Sequence, residues 1–262
     1  MGRKLFLFSW VVCMLAGGSS AMAQATNDAN PLYRPTVIQL HTISVPPIPG
    51  LPFSATALIE NRQAMLDGTV AESRNMNLVG RDSRGRTHGE MRARVPMASK
   101  ETPHLVEVSL YDPQMGIRTV CNADTHIAVR ARTSVPREMA TNAGAATSIP
   151  GVTVEDLGTS TINNVDVRGT RRTVVIPATR NSTGAPITVV DEYWYSEDLH
   201  VNILLIHNDP RTGEQKIALT NLQRADPDPS FFEVPEGYKV VDVTPPPGAP
   251  VLRGNVRGAV SR

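Results

Sequence analysis

Cysteine is nearly absent. The chain holds two, Cys13 and Cys121, and the first lies in a stretch that reads as a cleaved leader. No disulfide within the mature chain is then available, so stability has to come from the core. Cys121 has no C-x-x-C companion and no adjoining helix start, and reads as a small buried residue on a strand. Aromatic residues make up 5%, too few to line a large cavity with rings. No apolar run reaches the roughly 20 residues that cross a bilayer as a helix. No long basic run exists to follow a phosphate backbone, which speaks against nucleic acid as a partner. Also missing are G-x-S-x-G, H-E-x-x-H, a Walker loop and any paired metal-ligand spacing. The expectation is a protein that is not an enzyme, with no metal and no cofactor.

What is abundant is punctuation. The 262 residues include 21 Pro and 19 Gly, which leaves little room for long helices. At the start, Arg3 and Lys4 precede the apolar run 5–15, and Ala21-Met22-Ala23 supplies a cleavage site. Residues 1–23 therefore read as a signal peptide, and the mature protein as exported, periplasmic or secreted, with no transmembrane span after cleavage. Removing Arg3 and Lys4 leaves 24 basic residues against 25 acidic ones. Residues 24–51 read as an extended leader ending in the Pro-rich string Val45-Pro46-Pro47-Ile48-Pro49-Gly50, whose prolines cannot donate to a ladder.

Residues 52–243 read as one β domain. The clearest part is 187–241, where three β-rich runs (187–195, 201–207, 215–222) form an antiparallel meander. The second and third are joined by Asp209-Pro210-Arg211-Thr212-Gly213, in which Pro210 presets the first turn position and Gly213 supplies a positive φ. The same D-P-x-x-G turn recurs at Asp112–Gly116, between runs 105–111 and 117–121. Further strands are expected at 53–60, 70–79, 87–95, 126–130, 152–155, 159–163, 165–168, 171–176 and 239–243. Residues 61–66 extend the first strand or form one helical turn, and either Phe231 or Phe232 is buried after the Asp226–Pro229 kink. In 87–95, Gly89, Met91, Ala93 and Val95 alternate with His88, Glu90, Arg92 and Arg94, the pattern of a sheet with one wet face. A weak helix is placed at 137–145, and the tail 244–262 reads as disordered. The fold class is mainly β: a strongly curved antiparallel sheet or open barrel of about ten or eleven strands with few helices.

The six histidines, His41, His88, His104, His126, His200 and His207, are scattered. Asp226, Asp228, Glu233 and Glu236 form an acidic group whose spacing matches no Ca²⁺ loop and reads as a solvated turn. The strongest functional signal lies in the meander. Val201, Ile203 and Leu205 alternate with Asn202, Leu204 and Ile206, so both faces of that strand carry bulk and both need cover. Alternation places Tyr193 and Tyr195 on one face and Trp194 on the other. Tyr193, Trp194, Tyr195, Ile203, Leu205, Ile217 and Leu219 are the candidate apolar ligand-binding residues.

Several pieces together carry a resemblance. They are Phe53-Ser54-Ala55-Thr56, Arg81-Asp82-Ser83-Arg84-Gly85-Arg86, Val154-Glu155-Asp156-Leu157-Gly158-Thr159 and Ile162-Asn163-Asn164-Val165. Gly169-Thr170-Arg171, Tyr193-Trp194-Tyr195-Ser196, Asp209–Glu214 and Phe232-Glu233-Val234-Pro235-Glu236-Gly237-Tyr238 complete the set. Over about residues 52–243 the chain resembles a group of uncharacterised exported bacterial proteins. Their layout is similar to the LolA-like open barrel of the periplasmic lipoprotein carrier and of RseB/MucB-type envelope regulators. The resemblance implies a curved sheet over an apolar cavity for acyl chains. The expected function is a non-enzymatic binding module for an acyl chain, a lipid or a lipidated peptide. The alternative is a structural or protein–protein interaction module of the cell envelope.

Overall fold

The strands follow the turn signals closely. The computed structural model describes residues 42–65, 67–133, 151–181 and 183–244, all within one compact unit. The expected signal peptide, the start of the leader, the helix at 137–145 and the tail from 245 onward lie outside the described residues. Thirteen strands form one curved, unclosed sheet. In chain order they are β1 (Phe53–Ala64), β2 (Val70–Arg81), β3 (Thr87–Arg92), β4 (Val95–Pro96), β5 (Leu105–Asp112), β6 (Ile117–Asn122) and β7 (Ile127–Arg132). After residues 134–150 come β8 (Val152–Ile162), β9 (Val165–Ile176), β10 (Ile187–Ser196), β11 (Val201–Asp209), β12 (Gly213–Gln223) and β13 (Lys239–Asp242). Among the described residues the only helical pieces are two 3₁₀ turns, Ala178–Arg180 and Pro229–Phe232.

The spatial order is β13-β7-β6-β5-β3-β2-β1-β12-β11-β10-β9-β8, with β4 on β2. Neighbours are antiparallel except β13, which runs parallel to β7. Residues 61–64 extend β1. The four short runs expected between 152 and 176 are two long strands instead, because the ladder continues through Gly158 and Gly169 with one extra residue, Leu157; Asn163 and Asn164, at positive φ (49° and 59°), form the two-residue hairpin turn between them. Asp209-Pro210-Arg211-Thr212-Gly213 turns as its residues dictate. The Thr212 N–H donates to Asp209 O at 2.9 Å, and Gly213 sits at φ +91°. A Cβ at Gly213 would lie 2.1 Å from Arg62 O, so only glycine fits.

Two apolar clusters lie on opposite faces of the sheet. Directly paired residues share a face, so the pairs Ala57–Leu219, Ile59–Ile217 and Leu205–Ile217 put the larger cluster on the face of β1, β11 and β12 called here the inner one. Ile43 and Phe53 belong to it, so the leader lies against the domain from residue 43 onward. Leu199, Val201, Val165 and Val167 also belong, bringing the β10–β11 turn and the tip of the β8–β9 hairpin onto the same core. The hairpin tip is pinned where Asn163 Nδ2 donates to Leu219 O at 2.6 Å.

The smaller cluster, Val108, Leu110, Cys121 and Ala128, lies on the outer face of β5–β7. Val234 and Tyr238 pack against it, and Phe232 is the buried one of the two adjacent phenylalanines. Residues 226–243 therefore form a strap across β3 and β5–β7. This covers the face expected to be wet at His88 and Glu90, both 8% exposed, whereas Gly89 and Met91 are only half-buried; at Arg94 and Val95 the expected pattern holds, exposed and buried respectively. The His88 ring stacks on Phe231 with centroids 3.8 Å apart, and its Nδ1 lies 2.5 Å from Phe231 O.

Candidate functional site

The seven candidates separate into three situations. Ile203, Leu205, Ile217 and Leu219 are in the inner cluster, with exposures of 0%, 8%, 1% and 0%. Side chains of the chain itself occupy that space, so these four form core. Tyr193 and Trp194 pack against the cluster from its margin. Burial pushes the Tyr193 phenol up to about 12, with nearby Asp191 adding to the effect. Trp194 lies over Gly169, where a Cβ would come within 2.7 Å of the indole. Tyr195 is not in the cluster: its hydroxyl meets His200 Nδ1 at 3.2 Å.

Along β10 the expected alternation holds against β9, where Tyr193, Trp194 and Tyr195 oppose Thr170, Gly169 and Arg168 in unbroken register, but β11 carries an extra residue there. Trp194 opposes Leu204, but Tyr195 opposes Asn202, leaving Ile203 unpaired in that ladder. The second face of the meander, expected to be as apolar as the first, holds the row Trp194–Leu204–Ala218–Leu58–Met76. All five are half-buried.

The opening in the inner face lies elsewhere. β2 pairs with β3 only at Val79–Gly89, Gly80–His88 and Arg81–Thr87, then with β4 at Ser73–Pro96 and Arg74–Val95. Side chains bridge the interval. Asn77 Oδ1 accepts the Arg92 N–H at 2.9 Å, Asn75 Nδ2 donates to Arg92 O at 3.3 Å, and Glu90 Oε2 accepts the Leu78 N–H at 3.2 Å. Arg92 in turn grips Glu90 at 2.7 and 3.1 Å and reaches Pro103 O at 3.1 Å. A cavity of about 250 Å³ opens at this break. Its apolar lining is Ile59, Met91, Ala93 and Val106, and its polar lining is Asn75, Arg92 and Arg94. Ile59 pairs with Ile217 in the neighbouring strand, so the cavity abuts the candidate row without including it. The sequence signal that could have located it is the pair Asn75 and Asn77, two same-face asparagines in a strand otherwise continuous with the core.

A charged row crosses the inner face beside Tyr193. Arg172 Nη1 lies 3.3 Å from Asp191 Oδ2, and His207 Nδ1 lies 2.6 Å from Asp191 Oδ1. Asp191 raises the His207 imidazole above its ordinary value, chiefly through that hydrogen bond. Asp209 is buried and gripped by Arg211 and by the Arg211 N–H, which holds its carboxyl below the usual range. These contacts are internal to the meander and its turn. Among the described residues no group of three or more His, Cys, Asp or Glu side chains could hold a metal ion, and no helix is long and apolar enough to cross a membrane.

At the other end, Arg81 is fully buried against the Phe53 ring. Its Nε, Nη1 and Nη2 donate to Leu51 O, Pro46 O and Leu199 O at 2.9, 2.7 and 2.7 Å. It ties the leader and the β10–β11 turn to the end of β2. Burial without a carboxylate partner lowers the guanidinium to about 10.

No protein-family model and no curated protein matches the chain. Solved structures similar to it include a chain of the Pseudomonas aeruginosa MucA/MucB complex, at 11% identity and a TM-score of 0.38. That match covers 72% of this chain and 58% of the other, so the chain spans less than two thirds of its match. The lipoprotein LppX of Mycobacterium tuberculosis is similar at 15% identity over 66% of this chain and 87% of that one, with a TM-score of 0.28. A LolA-superfamily protein of Nitrosomonas europaea, from the group the sequence resembles, matches at 11% identity over 71% and 91%, with a TM-score of 0.30. Likeness at this level carries no argument about ligand or partner, which have to be read from the chain's own residues.

Proposed function

We propose that the protein is a non-enzymatic binding module of the bacterial envelope, exported to the periplasm or beyond, that takes the end of one apolar chain into the break between β2 and β3. The carrying observation is the cavity of about 250 Å³ floored by Ile59, Met91, Ala93 and Val106. Its volume falls just below the roughly 300–1,000 Å³ of pockets that hold drug-sized ligands. That size suits one acyl chain end, free or on a lipidated peptide, and not a whole lipid. The original candidates contribute from behind: Ile217 and Leu205 pack in the row that supports Ile59. Asn75, Arg92 and Arg94 give the cavity a polar rim, where the polar end of an amphiphile stays hydrated.

A fluorescent fatty-acid probe titrated into the purified mature protein tests this. Wild type is expected to saturate near one probe per chain. Ala93→Trp, which fills the cavity, is expected to abolish uptake while unfolding at nearly the same temperature. Uptake unchanged in Ala93→Trp rules out this site, and a wild type that takes up no probe rules out the reading. The alternative, a protein–protein interaction module, is favoured by one separate feature, the exposed strand at the end of the sheet.

A further inference from the structure

The strap 226–243 buries little of itself. Phe232 is its one buried residue, and all four residues of β13 are exposed. At one end Asp226 Oδ1 accepts the Ser83 N–H at 2.7 Å, and at the other β13 lies on the β7 edge. Between them Val234 and Tyr238 cover the outer cluster of Val108, Leu110, Cys121 and Ala128. A segment with so little buried apolar surface opens at lower cost than the sheet beneath it.

The strap rests on His88. The Phe231 ring stacks on the imidazole and lies against Gly80, where a Cβ would come within 2.9 Å of it. With Nδ1 donating to Phe231 O, the other ring nitrogen, Nε2, is buried without a hydrogen-bond partner. A neutral ring forgoes one accepted bond there. Protonation adds a charge and a second N–H, which need water or a carboxylate. The residues paired with His88 on β2 and β5 are Gly80 and Leu110. Glu90, next on the same face of β3, is gripped by Arg92 and the Leu78 N–H, and Asp82 by Arg86. Asp112, beyond Leu110 on β5, accepts from the Gln114 and Met115 N–H groups. In the strap Asp228 accepts from Ser230, and Glu233 is exposed. Glu90 favours the charged ring, but burial outweighs it and lowers the imidazole.

We infer that residues 226–243 are a proton-released strap: protonation of His88 lifts them from β3 and β5–β7 while the rest of the sheet stays folded, giving the ring water and uncovering Cys121. The cavity between β2 and β3 opens on the other face, so the device does not depend on its occupancy.

Cys121 is the only thiol once Cys13 leaves with the leader, and it is 0% exposed. Its labelling by a pyridyl disulfide, which thiols attack even in weak acid, reads the opening. Rates are normalised to the urea-unfolded chain at each pH. The wild-type rate is expected to be flat above pH 6.5 and to rise by up to about tenfold per pH unit below it, as the open strap returns His88 to its ordinary value. Emission from Trp194 on β10, the only tryptophan beyond the leader, should stay constant over that rise. His88→Gln and His88→Phe should keep this emission and label at rates independent of pH. Phe231→Ala should label about tenfold faster than wild type at neutral pH. A wild-type rate without the acid rise, an acid rise that persists in either His88 variant, Trp194 emission that shifts together with labelling, or an unaltered rate in Phe231→Ala overturns the inference.

Discussion

Arg81 concentrates more of the structure than any other single side chain. A charged residue with no carboxylate partner is among the last to be expected inside a protein, and its motif, Arg81-Asp82-Ser83-Arg84-Gly85-Arg86, reads locally as a turn and nothing more. The turn is present: Gly85 N–H donates to Asp82 O at 3.0 Å. The burial is decided by carbonyls 30, 35 and 118 positions away in sequence, and no local pattern encodes them. Arg81→Met would take a donor from three carbonyls, of which Pro46 O keeps the Ile48 N–H; the other two are worth about 1–3 kcal/mol each. Urea unfolding is expected to show a loss of at least about 2 kcal/mol. Arg81→Lys, with one point charge in place of a fork, should recover less than half of it.

Two histidines give opposite pH dependences. Asp191 raises His207, so above the ordinary value of 6.5 the folded chain binds more protons there than the unfolded chain. That contribution to stability is complete below 6.5 and is lost as pH rises through the folded value. Burial lowers His88 from the same 6.5. Its contribution is complete above 6.5 and is lost as pH falls through the folded value. Unfolding free energy measured from pH 5 to 8 should therefore lose its alkaline-side slope in His207→Asn and its acid-side slope in His88→Gln. A slope unchanged in either variant assigns it to other groups.

At the scale of elements, turns were the most legible part of the sequence and faces the least. Each D-x-x-G or D-P-x-x-G signal turns where its residues require, because the preference is set within four or five positions. Gly213→Ala, forced to φ +91° against Arg62 O, is expected to cost at least about 2 kcal/mol in thermal or urea unfolding. Faces depend on what crosses the strand. Residues 87–95 show a clean alternation, and its expected wet side is covered at His88 and Glu90 because Phe231 and the strap lie over them, while Arg94 and Val95 keep the expected exposure. The parallel pairing of β13 with β7 was equally hidden, since four residues of strand, Lys239–Asp242, carry no mark of direction.

The break between β2 and β3 is the element on which the binding reading depends. A missing stretch of ladder would normally strand backbone groups, and here Asn75, Asn77 and Glu90 supply the partners. Asn77→Ala leaves the Arg92 N–H without its acceptor. The expected cost is about 1–3 kcal/mol, together with faster hydrogen exchange at the Arg92 amide. Protection of that amide equal to wild type would mean that the ladder closes without the side chain.

For the whole molecule, the sequence predicted a strongly curved antiparallel sheet of about ten or eleven strands, and the structure has one curved, unclosed sheet of thirteen. It did not reveal how the chain fills the inside of the curve. Ile203, Ile217 and Leu219 alternate as a ligand-facing row would, but a row facing its own hairpin tip alternates identically, and only the position of Val165 and Val167 separates the two cases. Among the described residues a cavity lined in part by Ile59 and Met91 opens at the break. The protein described here is thus a packed sheet with a small apolar mouth, and its capacity should be one chain end. Organic extraction of protein purified from a bacterial envelope, followed by mass spectrometry against a matched Ala93→Trp preparation, measures that capacity directly. The account predicts about one acyl chain per wild-type polypeptide and none in Ala93→Trp; an empty wild type, or equal lipid in both preparations, would contradict it.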